Sequence, residues 1–278
     1  MKNVDYYKID TTDDFDLEKI FECGQCFRWN REDDGSYTGV AFGTAANIIK
    51  ENGEIYISGT AEDYDRIWRG YFDMDLNYSD IRRGLEVDEY MKKACDYGAG
   101  IRILRQDKWE ALCSFIISQC NNIPRIKKIV ETFCTNFGDE ISLGGRKFYT
   151  FPTAEKTASL TAEDLAPLRS GYRAPYIISA AKAVASGELD LDKLSDADLK
   201  EAVAALRGLN GVGEKVANCA ILFSLHKLDA FPVDVWMKKA IKEHYPDGFD
   251  PSVFGDFAGI GQQYMFYYQR ESGGQRGA

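Results

Sequence analysis

The sequence predicts an α+β fold, an antiparallel sheet near the N-terminus followed by helices to about residue 270. Three observations lead there. Apolar and polar residues alternate between Cys26 and Ser58, broken by turn signals, as in a half-buried meander. After Gly59 the apolar spacing shifts to the helical period. Residues 206–236, LRGLNGVGEKVANCAILFSLHKLDAFPVDVW, read as two helices joined by a glycine turn, then a third helix.

In chain order, the strand-like CFRWN (26–30) leads to a turn at Asp33-Asp34-Gly35-Ser36, and YTGVAF (37–42) then alternates two faces. A second turn, Glu51-Asn52-Gly53-Glu54, precedes EIYIS (54–58), with Ile55 and Ile57 on one face. Asn-Gly between apolar alternations is the strongest short hairpin signal, and such a meander needs helix over one face. Helices are expected over 61–72, 77–83 and 86–97, with core helices over 107–119 and 123–137. A looser stretch with Gly144 and Gly145 follows. Thr161 to Asp164 and Ser195 to Asp198 each set a hydroxyl three residues before an acid, a helix N-terminus signature. They predict helices over 162–168, 173–186 and 196–206. The tail ESGGQRGA (271–278) is expected to be disordered.

Composition bounds the function. With 45% hydrophobic and 28% charged residues the chain is an ordinary globular sequence. It has no run of eighteen apolar residues, so no membrane span is expected. The acidic, polar start lacks the features of a secretory signal, and a cytoplasmic protein is expected. The seven cysteines then read as reduced thiols. Only Cys23 and Cys26 have C-x-x-C spacing, without the helix-opening context or second ligand pair that a redox or zinc role needs. The net charge of −10 argues mildly against nucleic acid. Acidic residues concentrate near the N-terminus and in 186–201, however, leaving 101–128 locally basic.

The 206–236 stretch carries the chemistry. One helix ends near Arg207, Leu209 to Gly213 form a tight turn, and a second helix runs from Glu214 to Leu225. Gly211 and Gly213 flank Val212, so the backbone can pass close to a ligand. Turn amides beside a helix N-terminus make an anion site. The turn alone fits either an ordinary helical hairpin or a phosphate-binding helix-hairpin-helix. Lys215 decides between them. It opens the second helix, where the dipole disfavours a cation, and apolar Val216 and Ala217 follow. These conditions favour a neutral, nucleophilic amine. Further on, Asp234 in FPVDVW precedes a helix that it can cap. A carboxylate there can also face Lys215 and stabilise positive charge developing on a sugar.

The hairpin, Lys215 and the PVD at 232–234 resemble the helix-hairpin-helix (HhH-GPD) glycosylase superfamily. Further segments, in family order, resemble its 8-oxoguanine DNA glycosylase/AP lyase branch in a bacterial, clostridial-like form. They are GQCFRW (24–29), GIRILRQD (100–107), SFIISQCNNIPRI (114–126), GYRAPY (171–176), GVGEKVANC (211–219) and AGIGQQYMF (258–266). The resemblance implies an N-terminal antiparallel-sheet, TBP-like domain with flanking helices (1–100) packed on an all-α helix-hairpin-helix glycosylase domain (101–270). It implies a monomeric, cytoplasmic enzyme, nucleoid-associated in function, that excises 8-oxoguanine from double-stranded DNA and nicks the strand without a required cofactor.

The resemblance also carries residue roles. Lys215 would attack the sugar and form a Schiff base, assisted by Asp234. The Gly24 carbonyl would accept the N7–H that distinguishes 8-oxoguanine from guanine, a difference read more sharply than size. Gln262 would read the pairing edge, with Phe266 and Cys219 on either face of the ring. Tyr172 would wedge the base stack, Arg125 and Arg173 would hold the orphaned cytosine, and Gly211 and Gly213 would meet phosphate. The carbonyls of Arg207, Leu209 and Val212 would hold a structural monovalent cation. The chain departs from the pattern at Cys120, where an asparagine normally fills the vacated gap; that role passes to Asn121 or Asn122. Trp236 replaces a histidine and Asn218 an aspartate, as in bacterial members whose preference for cytosine opposite the lesion can be relaxed.

Rival readings fare worse. Iron–sulfur relatives carry four cysteines after the hairpin, and here none follows Cys219. Alkylation enzymes lack the lysine. A non-catalytic DNA-binding module leaves Lys215, Asp234 and Gln262 together unexplained.

Overall fold

The computed structural model describes residues 4–10 and 14–275. Five antiparallel strands, β1 (Tyr6–Ile9), β2 (Asn30–Arg31), β3 (Tyr37–Ala41), β4 (Thr44–Glu51) and β5 (Glu54–Ser58), pair in the order β1-β5-β4-β3-β2. The Asn52-Gly53 turn has the two positive φ values, 52° and 84°, that a two-residue hairpin requires. Ile55 and Ile57 face inward together, as the alternation predicts. CFRWN differs from expectation, reaching strand geometry only at Asn30. Its Trp29 turns in and lies on Gly39, where a Cβ would stand 2.4 Å from the indole. Phe21 stacks on the same indole at 4.4 Å, and Trp29 Nε1 donates to the Tyr71 hydroxyl. This aromatic cluster, with Trp68 and Phe72, fills the space between the sheet and the helical segment beneath it.

That segment runs Ala61–Asp63, a π-helical Tyr64–Trp68 and Arg69–Tyr71. The expected core helices are found at Lys108–Ser118 and Ile123–Phe137, and the next at Ala174–Ala185. Helices Tyr78–Gly84 and Glu89–Gly98 contribute Tyr78, Met91, Ala94 and Cys95 to the helical core. Four local expectations are corrected. Thr161 and Asp164 exchange their capping bonds, but only the 3-10 turn Ala166–Leu168 follows. Pro167 has no N–H to continue a helix, and the chain leaves through Arg169 at φ 51°. Ser195 lies inside a short helix, Leu191–Asp196; Asp198 is the cap of the next, Leu199–Arg207, accepting the Glu201 N–H at 2.8 Å. The looser stretch is a hairpin of β6 (Glu140–Leu143) and β7 (Arg146–Tyr149). The last helix, Ala258–Gln275, extends through 271–275, where disorder is expected; Ser272 Oγ bonds back to the Tyr268 carbonyl. Residues 276–278 of the predicted tail lie outside the described residues. Among the described residues no helix is long and apolar enough to cross a membrane.

The sheet is fixed to the helices by buried polar groups. Fully buried Gln25 donates to the Ile20 and Arg102 carbonyls and accepts the Leu104 N–H, while Gln106 Nε2 donates to the Gln25 carbonyl. Arg102, part of the basic stretch, is 1% exposed and donates to the carbonyls of Asp14, Phe72, Asp73 and Leu76. It is therefore a structural cation and adds nothing to a basic surface.

At the same junction Arg28 Nη2 donates to the Tyr149 carbonyl, and Nη1 lies 3.5 Å from Glu110. Burial pushes the Glu110 carboxyl up to about 7 from 4.5, against the opposing pull of Arg28. The folded state thus holds this proton more tightly than the unfolded chain. The resulting stabilisation is present below the unfolded value and is lost as pH rises toward 7, a change on the order of 3 kcal/mol. Urea unfolding at pH 5 and pH 8 should show a smaller pH-dependent loss of stability in Glu110→Gln than in the wild type. Parallel pH dependences would remove Glu110 as the source.

Candidate active site

The hairpin is built as its residues dictate. Gly211 has φ 79° and lies on the Tyr176 ring, where a Cβ would stand 2.3 Å from the nearest carbon. Any larger residue would push the turn off the Ala174–Ala185 helix. Val212 is buried between the helices, whereas Gly213 caps the second helix, Glu214–Ala220, and opens onto free space. The helix then widens to a π-turn at Ile221–Leu225, so its expected regular run to Leu225 is corrected. Ser224 Oγ back-bonds to the Ala220 carbonyl within that turn.

Lys215, half-buried on the first turn of that helix, points its Nζ over the Phe115 ring, 5.6 Å from the centroid. A narrow cavity of about 50 Å³ opens beside it, lined by Gly24, Cys219, Asp234, Gln262 and Phe266 among others. Sequence-predicted residues from four separate stretches of chain therefore meet at one cavity. A wider space of about 400 Å³ adjoins it, sharing Gly24, Lys215, Asp234 and Phe266 and adding Asn121, Asn122, Trp236 and Arg270.

Each wall has a local cause. Asp234 caps the Val235–His244 helix, one oxygen accepting the Met237 N–H at 2.9 Å. Burial raises the Cys219 thiol above its usual range, with Lys215 opposing, so the sulfur stays a neutral surface beside the amine. Gln262 is 4% exposed, and its Oε1 is buried without a hydrogen-bond partner. An acceptor left so is costly unless a ligand donates to it. Its neighbour Gln263 donates to the Cys23 carbonyl at 3.0 Å, tying the last long helix to the Gly24 turn. Gly24 itself has φ 87°, with Phe266 and Arg270 close around it. Cys23 and Cys26 are both buried, and burial pushes the Cys23 thiol up to about 11. That leaves C-x-x-C a packing feature.

The residues expected to meet the opposite strand lie around one loop and are less free than the sequence suggests. Tyr172 is 51% exposed and available as a wedge. Arg173, expected at the orphaned cytosine, is 4% exposed, and its guanidinium donates to the carbonyls of Gln119, Cys120 and Ser170. Asn122 caps the Ile123–Phe137 helix by accepting the Arg125 N–H, and Asn121 donates to the Ile117 carbonyl. Arg125 is exposed and reaches the Arg169 carbonyl at 3.3 Å. Cys120 is exposed at φ 47°. Asn218, 9% exposed, donates to the Glu214 carbonyl, and Trp236 lies under Lys239.

Sequence reasoning missed Phe115, Phe223 and Pro232 in the cavity wall. Phe115 and Phe223 stack at 5.4 Å, and in sequence both read as ordinary helix core.

The profile of the 8-oxoguanine DNA glycosylase N-terminal domain matches residues 8–112, and that of the HhH-GPD superfamily base excision DNA repair proteins matches 113–251. The chain belongs to the HhH-GPD superfamily. Within it, the chain resembles the 8-oxoguanine glycosylase/lyase of Clostridium acetobutylicum, solved with double-stranded DNA containing cytosine opposite 8-oxoG. The TM-score is 0.89 at 37% identity, covering 98% of this chain and 99% of that one. It also resembles MBOgg1, solved with a low-affinity DNA ligand, at TM-score 0.90 and 42% identity over 97% and 99% of the two chains. A curated relative, the N-glycosylase/DNA lyase of Saccharomyces cerevisiae, is 30% identical over 82% of this chain and 68% of its own length. The match to the 8-oxoguanine glycosylase N-terminal domain thus precedes the HhH-GPD match along the chain.

Proposed function

We infer that this chain is a bifunctional DNA base-excision glycosylase/AP lyase that flips 8-oxoguanine out of duplex DNA, releases it and nicks the strand. The observation that carries this reading is the single cavity shared by Lys215, Asp234, Gly24, Cys219, Gln262 and Phe266. A base must leave the duplex to enter such a cavity. Lys215 Nζ bonds to C1′ as the C1′–N9 bond breaks, and the base departs with the electron pair and takes up a proton. The amine loses a proton, the sugar ring opens, and a Schiff base results. Removal of a C2′ proton then expels the 3′ phosphate by β-elimination. The Asp234 carboxylate opposes the positive charge that develops on the sugar.

The lesion's N7–H is assigned to the Gly24 carbonyl and its pairing edge to Gln262, with Phe266 and Cys219 on the ring faces. The unpartnered Gln262 Oε1 supports this arrangement. Tyr172 is the wedge, and Gly211 and Gly213 offer turn amides to phosphate. Arg125 and Arg173 serve the opposite base, Arg173 after exchanging its carbonyl partners, and Asn121 or Asn122 fills the vacated gap. A structural monovalent cation at the hairpin would be held by the carbonyls of Arg207, Leu209 and Val212, adding positive charge beside the phosphate. Hard oxygen donors in a tight turn suit such an ion. The Leu209 carbonyl accepts the Val212 N–H at 3.1 Å and keeps a second lone pair. Action on the chromosome in the cytoplasm fits seven unpaired cysteines, six of them buried.

Borohydride trapping on duplexes carrying 8-oxoguanine opposite each of the four bases tests this function. A covalent adduct and a nicked strand are expected with 8-oxoguanine and not with guanine. Release of 3-methyladenine without any 8-oxoguanine adduct would overturn it.

A further inference from the structure

Arg270 lies one helical turn beyond Phe266, and none of the roles above uses it. Two of its guanidinium nitrogens are fixed: Nη2 donates to the Glu22 carbonyl at 2.7 Å, and Nε donates to the Glu271 carboxylate at 2.9 Å. The third, Nη1, is buried and has no hydrogen-bond partner. A Cβ on Gly24 would stand 3.3 Å from that nitrogen, and the guanidinium carbon is 5.4 Å from the Phe266 ring centroid. The side chain lines the wider cavity with Lys215 and Asp234. A buried charged donor left unmade costs more than a neutral one, so the arrangement implies an acceptor brought by the ligand. The planar fork, held at two corners, aims the third with little freedom left to lose on binding.

We propose that Arg270 Nη1 reads the lesion base directly, donating to the C8 oxygen of the purine whose N7–H faces the Gly24 carbonyl. N7 and C8 are neighbours in the ring, so a donor beside Gly24 stands beside that oxygen. Gly24 and Arg270 then form one acceptor–donor pair matched to the –NH–C=O edge that oxidation creates, an edge guanine lacks. The contact rests on the reading of the cavity as an 8-oxoguanine site. A phosphate oxygen of the same nucleotide offers similar acceptor chemistry. The closeness of Nη1 to Gly24 and of the guanidinium to the Phe266 ring, residues assigned to the base rather than the backbone, favours the base.

The test compares wild type, Arg270→Met and Arg270→Lys in three assays. These are single-turnover release of 8-oxoguanine, nicking at a preformed abasic site, and binding of a tetrahydrofuran-containing duplex. Loss of one charged hydrogen bond predicts a roughly ten- to hundredfold fall in base release for Arg270→Met. Nicking and tetrahydrofuran binding, which involve no base, should stay near wild type and also report that the variant is folded. Arg270→Lys keeps the charge without the fork and should fall between. Unchanged base release in both variants overturns the contact. So does a parallel fall in all three assays, which would put Nη1 on phosphate. If Arg270→Met does not fold, wild-type base release in Arg270→Lys overturns it. A wild-type chain inactive on 8-oxoguanine overturns the proposed function as well, so the two failures are distinguishable.

Discussion

Lys215→Gln should abolish both base release and borohydride trapping while lesion DNA remains bound. Glutamine is close to lysine in length and can keep the contact with Phe115, so the cavity wall survives; only the nucleophilic amine is lost. Loss of a nucleophile costs about four orders of magnitude or more in rate. On the proposed reading, binding rests on the hairpin amides, the wedge and the base walls, which this substitution leaves in place. The contrast is therefore large: single-turnover release near background, with a dissociation constant within a few-fold of wild type. Trapping at the wild-type level in Lys215→Gln would show that another amine attacks the sugar.

What could be read in the sequence was whatever obeys a local rule. The 123–137 helix appears with the expected bounds because its apolar residues keep helical spacing. The Asn52-Gly53 turn is found because only such a pair adopts two positive φ values cheaply. Lys215 stood out because a cation at a helix start runs against the dipole. Where tertiary packing decides, local rules fail. Phe115 and Phe223 look like core and serve as cavity wall, since nothing in an apolar helix marks which face borders an opening. Arg173 gives no sign in sequence that it is clamped by the Gln119 and Cys120 carbonyls, which a distant loop brings to it. Arg270 gave no signal at all, because its meaning depends on Gly24, which lies far away in sequence. The −10 net charge had a similar blind spot. Part of the locally basic stretch, Arg102, is buried structure, so the DNA surface must rely on fewer side chains and more on backbone amides.

Asp234→Asn isolates charge from capping. Asp234 does two things at once: it accepts the Met237 N–H at the start of its helix, and it presents a carboxylate to the cavity that holds Lys215. Asparagine is as good an N-cap as aspartate, so the substitution should leave stability within about 0.5 kcal/mol of wild type. The carboxylate's proposed effect on the developing sugar cation is lost, however. Removing one preorganised electrostatic partner of a transition state slows the chemical step by about 10² to 10³. Asp234→Ala removes both functions and should show the same rate loss together with about 1 kcal/mol of lost stability. Single-turnover rates, duplex affinity and urea unfolding on the two variants separate these outcomes. A wild-type rate in Asp234→Asn would leave the residue a cap and nothing more. Equal losses of rate and affinity would mean that its charge serves binding, because an interaction made only in the transition state lowers the rate while leaving ground-state binding alone.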